Sequence, residues 1–108
     1  MNKEESIQQI QEAISKMDQS IAELESIQYN LDEINKLKGD EEILAPLHNG
    51  IFVEAQLKNK DKVKVNIGDG VIVEKTIPEA KKLIGKQLKE IKNSKEKALE
   101  ELNKVKNV

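Results

Sequence analysis

Ile43-Leu44-Ala45-Pro46-Leu47-His48-Asn49-Gly50-Ile51-Phe52-Val53-Glu54-Ala55-Gln56-Leu57 and, after a short gap, Val63-Lys64-Val65-Asn66-Ile67-Gly68-Asp69-Gly70-Val71-Ile72-Val73-Glu74-Lys75 decide the fold. These runs are short, rich in β-branched residues and partly alternating, which is the pattern of strands. His48-Asn49-Gly50, Asn59-Lys60-Asp61 and Gly68-Asp69-Gly70 carry the turn residues between them. Residues 43–75 are therefore expected to form four strands in two consecutive β-hairpins, arranged as a meander. Such a sheet has open edges and too little apolar material to be stable alone, so its natural remedy is closure by other subunits. The candidate oligomerisation residues are Ile51, Val53, Ala55, Leu57, Val63, Val65, Ile67, Val71 and Val73. The competing possibility is a monomeric sheet with a solvated edge.

On the N-terminal side the period changes. Ile7, Ile10, Ile14, Met17, Ile21, Leu24 and Leu31 step by three and four, a heptad seam interrupted at Gln28, while Ile27, Ile34 and Leu37 leave the register. Asn2 with Glu5 three residues on can cap the start, and Gly39 after Lys36 and Lys38 suits the end, giving a helix over 1–39. On the C-terminal side Thr76-Ile77-Pro78-Glu79 has capping-box spacing with proline in the first turn. A second helix over 77–107 follows, with Ile84, Leu88, Ile91, Ala98, Leu102 and Val105 on one seam and Lys95 as its break. Gly85 inside it either permits close packing or a slight bend, or is simply tolerated at about 1 kcal/mol relative to Ala.

The expected architecture is thus α+β, one domain over 1–108: an antiparallel two-helix coiled coil joined by two hairpins that form an oligomerisation platform. The charge distribution favours that pairing. The 108 residues carry 18 Lys, no Arg and 20 acids. Residues 1–42 hold four Lys against eleven acids, a net −7, and residues 43–108 hold fourteen Lys against nine acids, a net +5. Opposite excesses select an antiparallel partner, although each exposed pair contributes only a few tenths of a kcal/mol.

Composition also removes function classes. With 37% hydrophobic and 35% charged residues there is little material for a thick core enclosing a polar pocket, so an enzyme is not expected. One Phe and one Tyr leave no stacking platform for single-stranded nucleic acid, and the Lys-rich C-terminal third is interleaved with acids and lacks Arg. No Cys and one His exclude thiolate zinc sites, cysteine nucleophiles and imidazole clusters. No metal and no cofactor is expected. Without a run of roughly 20 apolar residues or a basic-then-apolar leader, the expected location is the cytoplasm. Gly68-Asp69-Gly70 lacks the glycine, lysine and helix of a phosphate loop, Asp40-Glu41-Glu42 lacks EF-hand spacing, and His48 stands alone in a turn.

The stretches Ile43 to Leu47, Gly50 to Ala55, Asp61 to Val63 and Val65 to Lys75, continuing through Ile77 to Leu83, resemble the α-class subunit of archaeal-type prefoldin. Four strands look like the α class; the β class has a single hairpin. Two features depart from the family: both arms are shorter than usual, and His48-Asn49 stands where a smaller glycine-rich turn is common. The resemblance implies a hexamer of α-type and β-type prefoldin subunits, built on the hairpins. Its coiled-coil tips would hold unfolded client proteins without ATP and deliver them to a group II chaperonin. The corresponding tip regions are Asn2 to Met17 and about Ala98 to Val108, with Ile7, Ile10, Ile14, Leu102 and Val105 as candidate client contacts. Those same side chains could instead merely close the coiled coil, and Met17 reads as packing. The alternative function is a structural subunit that builds homomeric rings or filaments through its hairpins.

Overall fold

In the computed structural model, residues 2–107 are described; Met1 and Val108, the latter inside an expected tip region, lie outside them. The element order is α1 (Lys3–Lys36), β1 (Glu42–His48), β2 (Ile51–Gln56), β3 (Lys62–Asn66), β4 (Ile72–Thr76) and α2 (Ile77–Lys106). Two helices around two antiparallel hairpins are what the periodicities predict. The chain divides into two compact units, one of Met1–Gln28 with Lys82–Val108 and one of Tyr29–Lys81.

In the first unit the helices run side by side. Asn2 caps α1, its Oδ1 accepting from the Glu5 amide at 2.8 Å. Leu88 and Leu102 are buried, and Ile7, Ile10, Ile14, Met17, Ile21, Leu24, Ile84, Ile91, Ala98 and Val105 are half-buried. Both polar breaks in the heptads have partners across the pair. Lys95 Nζ lies 2.6 Å from Asp18 Oδ1, and a Cβ placed on Gly85 would sit 3.5 Å from Gln28 Nε2. Going from Asp18 to Gln28 the partner number falls from Lys95 to Gly85, so the two helices are antiparallel.

The Gln28 contact decides between the readings of Gly85. A separation of 3.5 Å is ordinary van der Waals contact, so a methyl group fits without displacing anything. Gly85→Ala is therefore expected to stabilise the protein by about 0.5–1 kcal/mol through helix propensity, read as a higher denaturation midpoint. A lower midpoint would show that close approach, rather than tolerance, keeps glycine there.

The second unit buries Leu31, Ile77 and Ala80. Lys81 Nζ pairs with Asp32 Oδ1 at 2.5 Å, fastening the end of α1 to the start of α2. That start is a complete capping box. The Glu79 amide donates to Thr76 Oγ1 at 3.2 Å, and the Thr76 amide donates back to Glu79 Oε1 at 3.0 Å. The Thr76 backbone and side-chain hydrogen bonds hold the Glu79 carboxyl below the usual carboxylate range.

Two expectations are corrected here. α1 stops at Lys36 rather than at residue 39, and Asp40 instead of Gly39 adopts the left-handed conformation, with φ 65°. Just past the helix end, the Glu41 carboxylate accepts from the Lys38 amide at 3.1 Å. Asp tolerates left-handed φ better than most residues, so the reversal falls one residue later than glycine placement suggests. The strands also do not form one meander. β1 pairs with β2 and β3 with β4 as two separate two-stranded sheets, and β2 is not bonded to β3.

Candidate functional site

The hairpins offer backbone edges, and hydrogen-bond phase determines which residues face out. Asn49 and Gly50 have φ of 50° and 78°, the double left-handed pair of a type I′ turn. Such a turn is closed by a mutually bonded pair, here His48 and Ile51. Counting along β2, Val53 and Ala55 bond inward to Ala45 and Ile43, which leaves the backbone groups of Phe52, Glu54 and Gln56 pointing outward. The far end agrees: the Leu57 amide donates to the Glu41 carbonyl at 2.9 Å, in the same phase. On β1 the outward positions are Glu42, Leu44 and Pro46, with an irregularity between Pro46 and His48 that displaces Leu47.

The second hairpin follows the same logic. Its turn has φ of 51° at Asp69 and 75° at Gly70, and the Val71 amide donates to the Gly68 carbonyl at 2.9 Å. Ile67 donates to the Val71 carbonyl at 3.0 Å and Ile77 to the Asp61 carbonyl at 3.1 Å. Val63, Val65, Val73 and Lys75 therefore bond inward. Lys62, Lys64 and Asn66 on β3, and Ile72, Glu74 and Thr76 on β4, present their backbone outward.

The four edges are not equivalent. β1 is interrupted by Pro46, which has no amide hydrogen to offer. β4 is interrupted at Thr76, whose amide is held by Glu79. β2 and β3 keep all three outward positions.

Side-chain exposure marks the same region as incomplete. Among the sequence-derived candidates, Ile51, Val53, Ile67 and Val71 are exposed, and Ala55, Leu57, Val63, Val65 and Val73 are half-buried. Exposed beside them are Leu44 at 64% and Leu47 on β1, a strand that supplied no candidate, and Phe52 at 55% and Ile72 on the opposite face of β2 and β4 from the candidates there. Pairs such as Leu44 with Glu54 and Pro46 with Phe52 form the second face of the first sheet. Two-stranded sheets with apolar residues on both faces are incomplete structures in water. The signal was present in the sequence: Ile51-Phe52-Val53 and Val71-Ile72-Val73 are continuous apolar runs, the mark of strands covered on both faces.

In the helix pair, Ile7, Ile10, Ile14 and Val105 are half-buried, whereas Leu102 is 9% exposed and packed. Near it Leu99, off the heptad seam, is 42% exposed. His48, the last residue of β1, is exposed. Among the described residues, no group of His, Cys, Asp and Glu could hold a metal ion, and no helix is long and apolar enough to cross a membrane.

Comparison with known proteins gives this arrangement its relatives. The family described as Prefoldin subunit matches residues 3–108. Prefoldin subunit alpha of Thermofilum pendens is 34% identical over 91% of this chain and 76% of its own length. The same subunit of Methanobrevibacter smithii is 33% identical over 92% of this chain and 67% of its own, and that of Methanopyrus kandleri 37% over 80% and 55%. A cryo-EM structure described as filamentous PFD from Methanocaldococcus jannaschii has the same fold, with a TM-score of 0.86 over 97% of this chain and 87% of that one at 22% identity. Four strands in two hairpins between antiparallel helices, together with these alpha-subunit relatives, place the chain in the prefoldin subunit family, in its α class, as a chaperone-type subunit.

Proposed function

We propose that the protein is an ATP-independent holdase subunit. It works within a hetero-hexamer containing β-type prefoldin subunits, binds unfolded client proteins at the coiled-coil tips and passes them to a group II chaperonin. The observation that carries this reading is the division of labour in the chain. The hairpins expose strand edges and apolar rows suited to assembly. The helix pair near its terminal end leaves Ile7, Ile10, Ile14 and Val105 half-buried and Leu99 exposed, apolar surface able to repack against irregular partners. Leu102 contributes only where the pair opens.

Replacing Ile7, Ile10, Ile14 and Val105 by Ser in the assembled hexamer tests the tip assignment. Protection of a denatured enzyme from aggregation, followed by light scattering, should fall several-fold while solution mass stays that of the parent assembly. Full protection by a correctly assembled variant would remove these residues from the client site.

A second reading, a structural subunit forming homomeric rings or filaments, is supported by the presence of more than one open edge per chain. Heterologous contacts that do not close propagate, and the Methanocaldococcus jannaschii neighbour is described as filamentous. Solution mass of the chain alone and after mixing with a β-type subunit separates the two: a small species that becomes one defined hexamer, or large assemblies indifferent to the partner.

A further inference from the structure

The turn of the first hairpin carries a reactive pair that turn formation does not use. Asn49 precedes Gly50, and no other asparagine of the chain is followed by glycine. Asparagine is a thermolabile residue, because its side-chain amide carbon can be attacked by the next main-chain nitrogen, most easily where the next residue has no side chain in the way. Asn49 and Gly50 are exposed, and a Cβ placed on Gly50 would meet nothing within 4 Å. Among the described residues the Asn49 side chain has no hydrogen-bond partner. The Gly50 amide is the central one of a type I′ turn, left unbonded by the closing pair His48 and Ile51. Other asparagines are held. Asn59 Oδ1 accepts from the Asp61 amide at 2.9 Å and Asn66 Oδ1 from the Gly68 amide at 2.9 Å. Asn30, Asn35, Asn93 and Asn103 stand inside helices, where the following amide is already donated along the axis.

We propose that Asn49 is a site of spontaneous covalent modification that limits the lifetime of the first hairpin, with water as the co-reactant. The deprotonated Gly50 nitrogen attacks Asn49 Cγ and forms a C–N bond; the bond from Cγ to Nδ2 breaks, and ammonia leaves with a proton from solvent, giving a five-membered imide. Water then opens the ring at either carbonyl. Breaking the bond from Cγ to the Gly50 nitrogen yields aspartate, and breaking the bond from the Asn49 main-chain carbonyl carbon to that nitrogen yields isoaspartate. The second hairpin shows that the first product is tolerated: Asp69-Gly70 has φ of 51° and 75°, against 50° and 78° for Asn49-Gly50. Aspartate therefore keeps the turn and adds one negative charge to a formal net charge of −2. Isoaspartate does not fit, because it adds a methylene to the main chain between His48 and Ile51, which the two-residue turn must keep as a pair. His48-Asn49 stands where a smaller glycine-rich turn is common in the family, so the site is a feature of this chain.

The test ages full-length protein at mildly alkaline pH, folded and in urea at the same temperature, then cleaves after lysine and weighs the peptides. Residues 39–58 form one peptide in which Asn49 is the only asparagine. In the folded chain, acid should replace amide at 49 severalfold faster than at any other asparagine, and faster as pH is raised, with part of the product labelled by a protein-isoaspartate methyltransferase. An Asn49 that stays intact in the folded chain while the urea sample converts overturns the proposal, because the turn then protects its own amide. So does conversion of Asn59 or Asn93 in the folded chain at the rate of Asn49. The consequence is read by circular dichroism on the acidic fraction of the aged protein, isolated by ion exchange, and on an Asn49→Asp chain prepared directly. Asn49→Asp should keep the strand signal of the parent, and the aged fraction should lose it in proportion to its isoaspartate content. Equal loss in both, or loss in neither, overturns the assignment of the hairpin's lifetime to this residue.

Discussion

Ile77→Ala should cost about 2–5 kcal/mol of stability, the range for truncating a large aliphatic side chain in a site that cannot collapse around the void. Ile77 is 1% exposed, the most completely enclosed large side chain among the described residues, and it stands where three structures meet in sequence. It follows β4 directly, opens α2, and its amide donates to the Asp61 carbonyl at the base of β3. The described core is otherwise Leu31, Ala80, Leu88 and Leu102, so one lost isobutyl-sized group is a large fraction of it. Set against total stabilities of about 5–15 kcal/mol for ordinary domains, such a loss unfolds a marginal chain at moderate temperature. Urea denaturation followed by circular dichroism measures it. The contrast variant is Leu44→Ala, as apolar in sequence but 64% exposed in the isolated chain, which should change stability by no more than about 0.5 kcal/mol. Equal costs for the two would mean that the hairpin is already covered in solution by another copy.

That contrast shows how far the residues alone reveal the molecule. The turns are legible because each needs unusual backbone: Asn49-Gly50 and Asp69-Gly70 supply two consecutive positive φ values from the residues that tolerate them. The α2 start is legible because Thr76 and Glu79 satisfy each other's amides at a fixed spacing. The end of α1 is not, because Asp40 takes the left-handed conformation that glycine placement assigns to Gly39. Neither is the separation of the sheets. Gln56, Leu57 and Asp61 sit at a spacing that would equally serve a continuous meander, and only the three-dimensional structure leaves β2 and β3 unpaired. Strand alternation likewise pointed to one buried face, whereas Leu44, Phe52 and Ile72 show that both faces carry apolar groups. Heptad reading identified Lys95 and Gln28 as breaks in the seam. Their partners Asp18 and Gly85 lie across the pair, and a register between two distant segments is not a local property of either. The client-contact candidates share that limit: periodicity gives Leu102 and Ile7 the same status, but the former is packed and the latter half-buried.

Proline scanning of β2 should split by residue parity, and the split has large amplitude. Val53 bonds inward to Ala45, so Val53→Pro removes a ladder bond of the hairpin itself and is expected to unfold it. Glu54 presents its amide outward, so Glu54→Pro leaves the hairpin ladder intact, as Pro46 does on β1. On the proposed assembly through the hairpins, what it removes is a bond to a neighbouring subunit. One lost net hydrogen bond plus a buried acceptor left unsatisfied amounts to about 2–4 kcal/mol, or roughly 30- to 1,000-fold weaker self-association. Glu54→Gln, which loses the charge and keeps the amide, should weaken it far less, because an exposed ion pair contributes about 0–1 kcal/mol and is screened by salt. Sedimentation equilibrium gives the association constants, and circular dichroism verifies the hairpins. If Glu54→Pro associates as the parent does while remaining folded, the β2 edge is not where copies meet. If instead it unfolds together with Val53→Pro, the hydrogen-bond phase assigned from the Asn49-Gly50 turn is wrong by one residue, and every outward position on β2 moves with it.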